Sequence, residues 1–135
     1  MTRSTVVLDS PEAIQRHLRC DIEPDDFDNP GVRFVLCDGR NEVRAHFHIT
    51  DAPPDATEDD YAFMVSVFAQ GMANDGDDGA MLLALTRPGP PTLSQGDRLW
   101  FRAAHEVCAE HDVRLLGVHV VTPRGQREVL LDDAL

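Results

Sequence analysis

The chain has 135 residues, the length of one domain spanning 1–135, and on folding it can bury roughly two-thirds of its unfolded surface. With 42% apolar and 27% charged residues it reads as globular, and no apolar run approaches the about 18 residues of a membrane span. Its 24 acidic and 12 basic residues give a net charge of -12, which repels phosphate backbones and anionic lipid and excludes nucleic acid and membranes as expected partners.

All 12 basic residues are arginine, so Schiff-base and P-loop lysine chemistry is excluded as well. The N-terminal stretch has no signal-peptide core, and the expected location is cytoplasmic. Cys20, Cys37 and Cys108 are odd in number and widely spaced, which suits buried free thiols rather than a disulfide framework or a zinc ribbon.

Ser10-Pro11-Glu12 carries an N-cap, a first-turn proline and an acid at the positive end of the helix dipole, predicting a helix to about Arg19 with Ile14 and Leu18 inward. Residues 21–30 are acidic and irregular. Val32 to Cys37 and Glu42 to Ile49 form a hairpin around Asp38-Gly39-Arg40-Asn41. After the proline-containing loop 51–55, Thr57-Glu58-Asp59-Asp60 opens a helix through Met72, apolar on most sides and hence expected at the centre. Residues 74–79 read as a solvated turn, because no Glu stands at the twelfth position of a calcium loop begun at Asp75.

Ala80 to Leu85 is an uninterrupted apolar run, predicting a central strand buried on both faces. A proline-rich loop, 87–93, leads into a helix from Ser94 to about His111 with Trp100, Ala103, Ala104, Val107 and Cys108 along one stripe. Val113–Thr122 and Gln126–Leu131 are the last two strands. The order α-β-β-α-β-α-β-β predicts a single α/β sandwich, a mixed sheet with three helices.

The segment Gly79-Ala80-Met81-Leu82-Leu83-Ala84-Leu85-Thr86-Arg87-Pro88-Gly89-Pro90-Pro91-Thr92-Leu93-Ser94-Gln95-Gly96-Asp97 resembles the metal-site segment of the JAB/MPN fold, nearest to its bacterial RadC-like branch. The resemblance covers roughly the last hundred residues and implies the same fold. That family ends an apolar strand in His-x-His-Pro, continues through a Gly/Pro-rich loop, and opens a helix with Ser-x-x-Asp. Its two His and its Asp hold zinc, and a Glu on an earlier strand handles protons. Aligned on Pro88, Leu85 and Arg87 stand at the two His positions, and neither can hold zinc. No Glu lies in the strand Val32-Arg33-Phe34, and Gly117-Val118 replaces the family's Asp-His pair. Ser94 and Asp97 persist, and both suit a capping box. If Arg87 projects toward Asp97, a cation of the chain replaces the metal and a salt bridge results.

His46-x-His48 carries another metal-ligand spacing, since residues two apart on a strand share a face. A third ligand to zinc would come from Asp51, His119 or Asp97, whereas the plainer reading is a half-exposed strand face beside Arg44. His17 reads as a surface or satisfied core histidine. His105 and His111 flank Cys108 at helical spacing without a third group, which favours core packing over nucleophilic catalysis. Ser66 lies inside a helix and outside any nucleophile elbow. Gly89 and Gly96 make no phosphate loop.

The leading expectation is a metal-free, catalytically inactive RadC-like domain that binds a protein partner or a second copy of itself, with no cofactor. The alternative is a zinc-dependent hydrolase rearranged around His46 and His48. A further alternative is a sensor for an anionic small ligand in a cleft lined by Arg87 and Arg98.

Overall fold

A computed structural model describes residues 6–50, 55–74 and 78–134. The elements are helix α1 (Pro11–Asp21), a 3-10 turn at Pro24–Asp28, strands β1 (Gly31–Cys37) and β2 (Val43–Thr50), helix α2 (Glu58–Asn74), and strand β3 (Ala80–Thr86). Helix α3 (Gln95–Glu110), strands β4 (Arg114–Thr122) and β5 (Gly125–Glu128), and a 3-10 turn at Leu131–Ala134 complete the chain. This is the expected α/β class, with five strands in one mixed sheet ordered β2-β1-β3-β4-β5. Only β3 and β4 run parallel, joined across the sheet by α3; the other pairs are antiparallel.

Every residue of β3 is buried, as its unbroken apolar run predicts. Alternation along the strands divides two cores. Phe34, Met81, Leu83, Leu85, Val118 and Val120 face α2 and α3, where they meet Val65, Ala69, Trp100, Ala104 and Val107. Val35, Cys37, Leu82, Ala84 and Val121 face the other way and are covered by Leu8, Ile14, Leu18 and Ile22, on and around α1. Each helix starts as its sequence dictates. Ser10 Oγ accepts from Ala13 N at 3.1 Å, Thr57 and Asp60 cap α2 reciprocally, and Ser94 and Asp97 do the same for α3.

Helix α2 departs from its expected central position. Among its described side chains Val65 and Ala69 are fully buried, while Phe63 is 72% and Val67 54% exposed, so it covers the sheet from outside. Cys20 is exposed rather than buried, since it lies on the outer side of α1; Cys37 and Cys108 are buried. The last strand ends at Glu128 instead of Leu131, because the chain bends into the 3-10 turn that tucks Ala134 against the α3 core. The acidic stretch 21–30 folds back: Glu23 N donates to Asp26 Oδ2 at 2.8 Å, and Phe27 rests on the α1 core. The loop read at 51–55 and the turn read at 74–79 fall largely outside the described residues.

Gly31 begins β1 where the backbone carbonyl of Ile49 on β2 comes so close that a Cβ would collide with it. Gly31→Ala is therefore expected to force the hairpin apart at its open end and to cost about 2 kcal/mol, the scale of an overpacked core site. Urea denaturation checks this, and an unchanged midpoint contradicts it.

Candidate functional site

Strand β3 ends at Thr86, and the next residue is Arg87, at the carboxyl end of a parallel pair of strands where α/β sheets open a crevice. The crevice here holds about 410 Å³ and is lined by Leu85, Arg87, Ser94, Asp97, Tyr61 and Trp100, among others. Its wall is an aromatic pair, Tyr61 stacked on Trp100 with ring centroids 4.2 Å apart. Burial, with help from Asp60 and Asp97, raises the Tyr61 hydroxyl above its ordinary pKa and keeps it a neutral donor.

Arg87 and Asp97 meet as the sequence alignment anticipates. The guanidinium grips the carboxylate with two bonds, Nη1 to Oδ1 at 2.6 Å and Nη2 to Oδ2 at 2.7 Å, and Nη2 also donates to the Thr92 carbonyl at 2.6 Å. Asp97 Oδ2 accepts from Ser94 N as well, at 2.7 Å. One carboxylate thus caps α3 and holds the loop that precedes it. Its side chain is 3% exposed against 27% for Arg87. The zinc that the RadC-like resemblance implies does not fit this donor set. Leu85 is buried and offers no lone pair, and the remaining carboxylate is already satisfied by a fixed cation.

Arg98 does not line this cleft; its Nε donates to the carbonyl of Asp133 at 2.9 Å. Arg87 is the cleft's one arginine among the described residues, and Asp97 neutralises it.

The other sequence-derived pair lies on the opposite face of the sheet. Register places His46 beside Val35 and His48 beside Arg33, so both point toward α1, while Phe47 and Ile49 point toward α2. The two imidazoles do not converge on one point. His48 Nδ1 lies 3.9 Å from Asp26 Oδ1, and its Nε2 is buried without a partner. His46 instead meets helix α1: its Nε2 is 3.2 Å from His17 Nε2 and 3.7 Å from Asp21 Oδ2. Of the expected third ligands, Asp51 lies outside the described residues, Asp97 is on the other face of the sheet, and His119 is three strands away, about 14 Å at strand spacing. Arg33 joins this cluster, donating to Asp21 Oδ2 and Asp26 Oδ2, each at 2.9 Å.

The sequence reading missed His17 and Asp21. Their i, i+4 spacing on α1 puts them on one helix face, but nothing local ties that face to a strand 29 residues further on.

The two buried thiols offer no nucleophile, because burial pushes Cys37 up to about 11 and Cys108 up to about 12. His105 stacks on Phe101, and among the described residues no hydrogen bond joins the ring of His105 or of His111 to Cys108. His119 is 5% exposed, its Nε2 has no hydrogen-bond partner, and burial pushes it down to about 4. Glu128, opposite it on β5, stays 4.0 Å away. Comparison with family models and with curated proteins returned no match. The RadC-like resemblance thus rests on residues 79–97 and on the order of the elements.

Arg87→Ala leaves the Asp97 carboxylate buried without its counter-charge, and a loss of about 3 kcal/mol is expected. A denaturation midpoint equal to that of the wild type contradicts this assignment. His119 gives a separate signature in pH. The folded protein holds it neutral down to about 4, whereas the unfolded chain takes up the proton near 6.5. Its contribution is therefore complete above 6.5 and is lost as the pH falls toward 4. Between pH 6.5 and 5, before most carboxylates titrate, the loss is on the order of 2 kcal/mol. Half-buried His17, also lowered by burial, adds in the same sense. Denaturation curves across that window should flatten in His119→Gln, and an equal slope in the variant contradicts the assignment.

Proposed function

We propose that the chain is a RadC-like α/β domain without a catalytic metal at residues 85–97, working in the cytoplasm as a protein-binding module. The bidentate Arg87–Asp97 pair carries this reading: a guanidinium stands where the resemblance places a metal, and it occupies the one carboxylate left. Zinc hydrolysis needs three protein ligands beside its water, and of the three positions the resemblance assigns, one is an aliphatic side chain, one a guanidinium and one a carboxylate bound to that guanidinium.

A surface for binding supports the second half of the proposal. Phe63 and Val67 stand one turn apart on the outer face of α2. Phe47, 44% exposed on β2, rests against Phe68 with centroids 5.0 Å apart. Strand β2 is at the edge of the sheet; Val6 covers its first residue by accepting from Val43 N at 2.9 Å, and no described strand pairs with the rest of its outer side. Exposed apolar side chains grouped in this way mark interaction surfaces more often than isolated ones do. Glu58, Asp59 and Asp60 open the same helix, and with a net charge of -12 they favour a basic partner through steering. No described helix is long and apolar enough to cross a membrane.

The hydrolase centred on His46 and His48 has less support, because His48 turns to Asp26 and leaves His46 to α1. The anion sensor has less still, since Arg87 is neutralised and Arg98 is engaged elsewhere.

A Phe63→Asp/Val67→Asp variant tests the module. Both side chains are exposed, so Tm should stay within about 2 °C of the wild type. Self-association by sedimentation, or retention of a basic protein partner, should fall at least tenfold. Assembly unaffected by the double substitution overturns the proposed surface.

A further inference from the structure

Among the described residues outside the Arg87–Asp97 cleft, a group of three metal-ligating side chains bridges α1 and the edge strand. His17 and Asp21 share a helix face, and His46 reaches them from β2 on the side of the sheet that α1 covers. One ligand atom from each lies within 4.8 Å of the others. The 3.2 Å between the two Nε2 atoms is close to the separation of two nitrogens bound to one tetrahedral ion, about 3.4 Å for bonds of 2.0–2.1 Å.

The charge of the cluster suits a cation. Arg33 is shared between Asp21 and Asp26, one guanidinium against two carboxylates, which leaves the cluster negative. Asp21 gives Arg33 one bond through Oδ2, and a carboxylate has lone pairs to spare for a second partner. Two imidazoles and one carboxylate, with no thiolate, match the ligand preferences of zinc and its divalent neighbours. His46 is exposed, so solvent completes the coordination.

We propose that His17, Asp21 and His46 form a zinc site that clips helix α1 to strand β2. The site lies away from the RadC-like position, and of the His46-x-His48 pair it takes His46 alone. It holds equally whether or not the α2 face binds a partner. Without the ion, the two rings share a hydrogen bond through Nε2; with it, the N-terminal helix is fastened to the sheet edge.

Zinc chloride titrated calorimetrically into the tag-free, chelator-treated full chain tests this. The expected result is one zinc per chain. His17→Ala and His46→Ala should each weaken binding at least about 100-fold, more than the loss of an outer-shell partner does. Asp21→Asn, which keeps an acceptor for Arg33, should weaken it about tenfold. His48→Ala and the exposed thiol variant Cys20→Ser should bind within about threefold of the wild type. Zinc at 100-fold over its Kd should raise the wild-type Tm by about 10 °C and leave that of His46→Ala unmoved. No binding heat, binding that survives His17→Ala, or equal loss in His48→Ala would each overturn the site.

Discussion

Strand β3 lies in the middle of the sheet with no residue reaching solvent, and that burial dictates most of the molecule. A strand apolar on both faces must be covered on both, so α1 takes one side while α2 and α3 take the other. Because β4 runs parallel to it, the connection must cross the sheet, and α3 makes that crossing. The first polar groups the chain can afford come where β3 ends. Thr86 Oγ1 reaches the Gly31 carbonyl, and Arg87 reaches Asp97. The cleft and its ion pair are thus the boundary of a hydrophobic strand, placed where its apolar run stops.

The arginines do what the fold requires of cations in an acidic chain. Arg87 joins a helix cap to the loop before it, and Arg33 joins α1 to the 3-10 turn. Arg114 ties Asn41 to the carbonyls of Asp38 and Asp78. Each holds two or more acceptors from different segments, which a planar fork of five donors does and a lysine ammonium does less well. Further acids lie on the first turn of α2 and within the two 3-10 turns.

Sequence showed the features whose causes are local. Ser10 caps α1, Ser94 and Asp97 box the start of α3, and the run from Ala80 to Leu85 is recognisably a buried strand. The Arg87–Asp97 contact was readable only through the RadC-like resemblance, which aligns both residues with metal-ligand positions. What escaped depends on which face meets which neighbour. Helix α2 is apolar nearly all round, and composition cannot distinguish a central helix from one that leaves Phe63 and Val67 outside. His46 and His48 share a strand face, yet α1 and the 3-10 turn divide that face between them, each supplying one carboxylate. His17 looked solitary because its partner arrives only through the pairing of β1 with β2.

The loop between Arg87 and Asp97 has a dynamic consequence. Pro88, Pro90 and Pro91 restrict its backbone, and the ion pair fastens it at both ends. A segment so constrained has few alternative states to sample, so it serves poorly as a lid. Whatever meets that crevice encounters a preformed wall, and association there proceeds by rigid docking with little reorganisation. Differences in affinity among molecules that fit it would then arise in their residence times rather than in their rates of arrival.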